Sequence, residues 1–163
     1  MRAVIQRVSK AEVKINNKII SAIANGILVL LSIASDDGQE DIDIMVDKIM
    51  NLRLFSDQSG KMNLSVMDIK AEVLVVPQVT LMANLEKGRR PSFENAALPV
   101  KAESFYNEVI NRLKENKVSI QEGKFGENMQ IELINNGPVT IIVDTKLLKR
   151  TKTANFYEEK LNE

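Results

Sequence analysis

The 163-residue chain contains neither histidine nor cysteine, and this limits the chemistry its residues can perform. Ser-His-Asp and Cys-His nucleophilic sites are excluded, and so are Cys/His zinc sites. No side chain present has an ordinary pKa near neutrality. Proton transfer would fall to a shifted carboxylate or lysine, a carboxylate-held metal, or a group on the substrate. Two short segments stand out. Pro77-Gln78-Val79-Thr80 follows the apolar run Val73–Val76. A strand ending there leaves backbone N–H groups without ladder partners. Thr80 adds a hydroxyl, but no base lies near it in sequence, and a β-branched strand-end residue is the simpler reading. The other segment, Asn135-Asn136-Gly137-Pro138, sits between the strand-like runs Met129–Ile134 and Val139–Val143. It reads as a hairpin turn. Glycine tolerates backbone angles closed to other residues, and proline fixes φ and lacks an N–H. A cis X–Pro bond costs only about 0.5–1 kcal/mol. The pair can therefore hold a stiff loop with its carbonyls turned outward.

These segments need elements to position them. Met1–Val8 alternates as a strand does. Ala11, Val13 and Ile15 share one face, and Asn16-Asn17 turns the chain back into Lys18–Ile23 as a hairpin. Asn25-Gly26 leads into Ile27–Ile33, a continuous apolar run expected to be a central strand buried on both faces. A first helix is expected after Asp37, with Asp37 as its cap and Glu40 completing a capping box. Ile42, Met45, Val46 and Ile49 form its apolar stripe. Asn51–Phe55 reads as a short strand, Asp57-Gln58-Ser59-Gly60 as a turn, and Val73–Val76 as a buried strand. A second helix begins near Pro99 and turns Ala102, Phe105, Tyr106, Val109 and Leu113 inward. Two closing strands flank the Asn-Asn-Gly-Pro turn. Strands interrupted by helices indicate an α/β domain with a mixed sheet.

Composition narrows the partners. Lys+Arg and Asp+Glu number 22 each, giving a formal net charge of +0. A general nucleic-acid binder would be strongly basic, so any RNA contact must be local, and DNA is not an expected partner. No N-terminal run is long enough for a membrane span, and Met1-Arg2-Ala3 is not expected to open a signal peptide. With no disulfide to form, the cytoplasm is the expected location.

Five motifs in order carry a resemblance: Met1-Arg2-Ala3-Val4-Ile5-Gln6-Arg7-Val8, Gly60-Lys61-Met62-Asn63-Leu64-Ser65, Pro77-Gln78-Val79-Thr80-Leu81, Lys87-Gly88-Arg89-Arg90-Pro91-Ser92-Phe93 and Asn135-Asn136-Gly137-Pro138-Val139-Thr140. Together they resemble the D-aminoacyl-tRNA deacylase family from residue 1 to about 145, leaving 146–163 as a charged C-terminal extension. The resemblance implies a compact, layered, barrel-like α/β domain with two main helices that forms a two-fold homodimer. The implied activity is hydrolysis of the ester of D-aminoacyl-tRNAs, and of glycine mischarged on tRNA(Ala), without a cofactor or metal.

Site roles follow from the same resemblance. Gln78, Val79 and Thr80 match the stretch that cradles the scissile ester, where backbone N–H groups can stabilise the developing oxyanion, each worth about 2.7–4 kcal/mol. The ribose 2′-hydroxyl assists, so much of the catalysis belongs to the RNA. Gly137 and Pro138 match a Gly-cisPro loop that enters the partner's pocket and excludes L side chains. Arg7 matches an arginine bracing that loop, and Pro77 and Met129 fall in the adenosine pocket. Lys87, Arg89 and Arg90 suit phosphates of the acceptor end, although a solvated basic turn has the same composition. The family's usual Ser-Gln-Phe-Thr reads Pro77-Gln78-Val79-Thr80 here. Pro77 removes a hydroxyl and an N–H, and Val79 replaces a ring. This keeps open a relaxed deacylase of the Gly-transPro type acting on small L-aminoacyl-tRNAs, as well as a non-catalytic RNA-binding dimer. A cis bond is the expectation for Gly137–Pro138.

Overall fold

The computed structural model describes residues 1–149. Its organising element is β1 (Arg2–Ile15), which combines the two N-terminal strand segments into one. The C-terminal half of β1 turns at Asn16-Asn17, with φ of 50° and 62°, into β2 (Lys18–Ile23). Its N-terminal half pairs antiparallel with β3 (Gly26–Ser32). The chain continues through α1 (Gln39–Asn51), β4 (Phe55–Ser56), β5 (Met62–Leu64) and α2 (Val66–Ile69) to β6 (Glu72–Pro77). It then passes through a 3-10 turn (Val79–Met82), α3 (Pro99–Glu115) and β7 (Ser119–Glu122) to β8 (Gln130–Asp144).

The sheet order is β2-β1-β3-β6-β7, with β8 also on β1. The β3–β6 and β6–β7 pairs are parallel, which makes the sheet mixed as expected. It curls until its ends approach, and the Ser21 hydroxyl on β2 donates to the Glu122 carbonyl on β7 at 2.5 Å. The result is a nearly closed barrel with α1 and α3 outside it.

Each strand serves two cores because successive side chains point to opposite faces. Ile27, Val29 and Leu31 of β3 pack with Val73 and Val75 of β6 against Ile42, Met45, Ile49, Val109 and Leu113 of the helices. Leu28, Leu74 and Val76 point into the barrel with Val8, Val13 and Ile23, and Met129, Ile131 and Leu133 pack against them. The continuous apolar run of β3 is thus buried on both faces.

Several expectations are corrected. Residues 135–138 do not reverse the chain, because β8 is one 15-residue strand running antiparallel to β1 throughout. Gln6 faces Thr140 and Val8 faces Asn135, so the Asn-Asn-Gly-Pro segment is surplus backbone that bulges from the ladder. Asp37 does not cap α1. The helix begins after Gly38, whose N–H donates to the Asp41 carboxylate at 2.9 Å. Asp37 instead accepts from the Ala34 N–H at 2.6 Å and from the Met1 amino group at 2.5 Å. The strand expected at 51–55 is confined to Phe55–Ser56, since α1 runs on to Asn51. Most of the 146–163 segment lies outside the described residues. Its first residues belong to a helical turn, 145–149, that packs back on α1.

Asp41 is the buried carboxylate of that contact. Burial works to raise its pKa but is outweighed by the Gly38 N–H, the Lys149 ammonium at 2.7 Å, the Thr145 hydroxyl at 2.5 Å and the Met1 amino group, which together hold it at about 2. A carboxylate depressed on folding stabilises the native state above its unfolded pKa and loses that contribution as pH falls through the folded value. Stability should therefore drop between about pH 4 and pH 2, by roughly 2 kcal/mol from this group. Urea titrations across that range, compared with Asp41→Asn, provide the check. The variant should lose this part of the pH dependence and be less stable at pH 7.

Candidate active site

At the C-terminal ends of the parallel pair β3–β6, the strands stop beside each other, with Leu31 opposite Pro77. The Gln78 N–H donates to the Leu31 carbonyl at 2.8 Å, so it is not free as a strand-end donor, contrary to expectation. The chain then enters the 3-10 turn Val79–Met82. The first N–H groups of such a turn have no intrahelical acceptor. The Val79 and Thr80 N–H groups occupy those positions, and among the described residues neither has a hydrogen-bond partner. The Gln78 side-chain amide donates to the Thr80 hydroxyl. Arg2 steadies the far end of the turn, donating to the Leu81 carbonyl at 2.7 Å while its Nε and Nη2 grip Asp144 at 3.1 and 3.0 Å.

The turn borders a cavity of about 410 Å³. Its walls are Leu31, Ser32 and Ile33 from the end of β3, Pro77, Gln78 and Val79, Ala97, Pro99 and Ala102 around the start of α3, and Phe125, Gly126, Glu127 and Met129 from the β7–β8 connection. The lining is largely apolar. Tyr106 holds the last wall in place. Its buried hydroxyl lies 2.9 Å from the Val75 carbonyl and 3.2 Å from the Gly123 carbonyl, and burial, followed by the Glu122 charge, pushes its pKa up. The Lys124 N–H points at the Met129 sulfur at 3.4 Å, and the Phe125 ring lies 6.2 Å from that of Tyr106.

The structure thus brings Pro77, Gln78, Val79 and Met129 to one cavity, with Thr80 on the adjoining turn. Val79, where the resemblance leads one to expect a ring, is 55% exposed. Lys87, Arg89 and Arg90 are exposed on a loop closed by the Asn84–Ser92 bridge, and none pairs with a carboxylate among the described residues. Gly137 and Pro138 do not line the cavity. Their peptide bond is cis, and both residues are exposed on the β8 bulge. Arg7 pairs across the sheet with Ile27, near the start of β3, whereas the cavity begins at Leu31. The separation is about 13 Å along the strand. Arg7 donates to the Asn136 carbonyl at 2.9 Å and the Leu54 carbonyl at 2.6 Å, tying the bulge to the stretch before β4.

Sequence reasoning missed Ser32, Ala97, Pro99 and Phe125 as wall residues. One signal was present: Ser32 is a polar residue inside the apolar run Ile27–Ile33.

A cleft at parallel strand ends, bordered by unpaired N–H donors, suits an acyl-ester hydrolase that needs no charged nucleophile. Comparison with known proteins identifies the esters as those of aminoacyl-tRNA. The family model described as D-Tyr-tRNA(Tyr) deacylase matches residues 4–144, and the chain belongs to that family. It is 48% identical to the D-aminoacyl-tRNA deacylase of Thermosipho africanus over 146 residues, covering 90% of this chain and 98% of the relative. It is 49% identical to that of Dictyoglomus turgidum over 152 residues, covering 93% and 97%. A solved structure titled c-Myc DNA Unwinding Element Binding Protein superposes with a TM-score of 0.84 at 45% identity, covering 88% of this chain and 98% of that one. The protein is accordingly an enzyme, a hydrolase of D-aminoacyl-tRNA esters.

Proposed function

We propose that the cavity at the β3–β6 strand ends seats the 3′-terminal adenosine of the tRNA, with its aminoacyl ester against the 3-10 turn. The observation carrying this reading is the pair of N–H groups, Val79 and Thr80, that have no partner among the described residues and lie on the border of a largely apolar cavity. Water attacks the ester carbonyl carbon, and the negative charge that develops on the carbonyl oxygen is met by those donors. The bond to the ribose 3′-oxygen then breaks, that oxygen takes a proton, and free amino acid and tRNA leave. The neighbouring 2′-hydroxyl is the proton relay, a role that a chain without histidine leaves to the substrate. Thr80 and Gln78 position, and neither is the nucleophile. Pro77 and Met129 bear on the adenosine. Lys87, Arg89 and Arg90 neutralise acceptor-end phosphates from their exposed loop.

Selection against L residues is assigned to Gly137 and Pro138 from a second copy of the chain in a two-fold homodimer. Within one protomer the bulge sits at the wrong end of β3 to reach its own cavity, yet it is exposed and clamped by Arg7. A fixed loop borrowed from the partner would meet an L side chain and leave room for D residues and for glycine, including glycine mischarged on tRNA(Ala). The enzyme would act in the cytoplasm, where charged tRNA is made.

The test pairs D-tyrosyl-tRNA with L-tyrosyl-tRNA. The D ester should be cleared far faster than in buffer and the L ester should persist. Equal lifetimes of the D ester with and without enzyme would refute the assignment. A relaxed specificity is suggested by Pro77 and the exposed Val79, and hydrolysis of L-alanyl-tRNA in the same assay would identify it.

A further inference from the structure

One hydroxyl in the cavity wall has no hydrogen-bond partner among the described residues. Ser32, the last residue of β3, is 2% exposed and lines the cavity. Its Oγ is the one buried side-chain oxygen or nitrogen among the described residues that makes no hydrogen bond. Buried polar groups are nearly always bonded, and one left unbonded carries its desolvation penalty with nothing to offset it. The placement is informative. The register that sets Leu31 opposite Pro77 puts Ser32 beside Gln78. Pro77 offers neither a hydroxyl nor an N–H. Ser32 and Gln78 therefore form one polar corner, set apart from Glu127 on the β7–β8 connection, in a wall whose other side chains, Leu31, Ile33, Ala97, Phe125 and Met129 among them, are apolar.

A nucleoside entering such a cavity has one sensible orientation. Its flat base belongs against the apolar wall with Phe125 and Met129, and its ribose belongs in the polar corner. The ribose 3′-oxygen carries the aminoacyl group and faces the turn. The 2′-hydroxyl remains, and it can both donate and accept, as can a serine hydroxyl. We propose that Ser32 is a further substrate-binding residue, its hydroxyl hydrogen-bonded to the ribose 2′-hydroxyl of the terminal nucleoside. This rests on the reading of the cavity as the seat of that nucleoside. The Ser32 Oγ is shielded from solvent in the empty site, so contact needs a small side-chain shift as the cavity fills. Hydrogen bonds in unliganded sites often tighten only in the complex. The bond would fix the orientation of the group that relays the proton.

The test is a binding cycle with two non-hydrolysable probes, 3′-deoxy-3′-(D-tyrosylamino)adenosine and its 2′-deoxy counterpart, on the full chain and on Ser32→Ala. The wild type should prefer the 2′-hydroxyl probe by about fivefold. Ser32→Ala should bind both probes alike, at the weaker affinity. It should also melt at or above the wild-type temperature, because an unbonded buried oxygen has been removed. A structural serine would not give weaker binding with undiminished stability. Retention of the 2′-hydroxyl preference by Ser32→Ala would overturn the proposal and leave the seat reading intact. Loss of affinity for both probes together with a lowered melting temperature would also overturn it. Failure of the wild type to bind either probe would overturn the seat reading as well.

Discussion

Gly137→Ala should lower turnover of D-tyrosyl-tRNA by about a hundredfold, the scale of loss that a misplacement near 1 Å causes in a preorganised site. Gly137 has φ of +144°, a conformation that L side chains rarely adopt. A methyl group there would lie 2.7 Å from the Val139 Cγ2, 2.9 Å from the Val139 nitrogen and 3.0 Å from an Arg7 guanidinium nitrogen. The Val139 nitrogen is backbone and cannot rotate away. Its N–H is also held by the Asn135 side chain at 2.9 Å, so the bulge itself must move. The displaced guanidinium is the group that holds the Asn136 and Leu54 carbonyls. Under the proposed arrangement the moved bulge belongs to the partner's site, so the ratio of D to L hydrolysis should fall with the rate. Both are read from single-turnover deacylation of the two esters, with thermal melting run alongside to show that the domain stays folded. An unchanged D to L ratio in a folded variant would remove the bulge from the specificity mechanism.

Gly26→Ala should prevent the domain from folding stably, at a cost above about 4 kcal/mol. Gly26 opens β3 where it meets the start of β6 in parallel register. A methyl group would sit 1.9 Å from the Glu72 carbonyl oxygen and 2.8 Å from its carbon, both backbone atoms in a paired strand. Glu72 is also tied back to the 24–25 segment: its N–H donates to the Asn25 carbonyl at 3.3 Å and its carboxylate accepts from the Ala24 N–H at 2.7 Å. Relief would require separating the two central strands. Far-UV circular dichroism with urea titration gives the answer, and a midpoint equal to wild type would show that β3 and β6 can part at that end without loss.

Gly26 also shows how much of this molecule could be read from its sequence. Asn25-Gly26 looks like turn chemistry, and β3 does begin there, but the glycine is required by the close approach of a strand 46 positions away in numbering. Local patterns served well where local physics decides. The Asn16-Asn17 turn takes the positive φ values its residues favour, and the stripe Ile42, Met45, Val46, Ile49 is buried as its spacing requires. They misled where distant groups decide. Asn-Asn-Gly-Pro has the same chemistry whether the chain reverses or bulges, and the outcome depends on β1 accompanying both halves of β8. Asp37 has the right spacing for a cap, yet tertiary partners claim its carboxylate. The site divides in the same way. The end of a strand at Pro77 was legible from the apolar run before it, whereas the roles expected of Gln78, Val79 and Thr80 came from the family resemblance alone. Ser32, Ala97 and Phe125 come from three separate stretches, the first and last brought together by the parallel pairing of β3, β6 and β7 and Ala97 by its N–H bond to the Ile33 carbonyl.

The central place of β1 bears on how the domain assembles. Residues 2–6 cannot acquire their second neighbour until residues 140–144 arrive, a separation spanning nearly the whole described chain. Pairings so distant in sequence carry a large loop-closure entropy before they return any contact, and such topologies fold slowly. During synthesis, one flank of β1 would stay open until β8 leaves the ribosome, exposing a strand edge suited to mispairing with other chains. The hairpin with β2 and the early pairing with β3 limit that exposure to one flank, which β8 covers when it arrives.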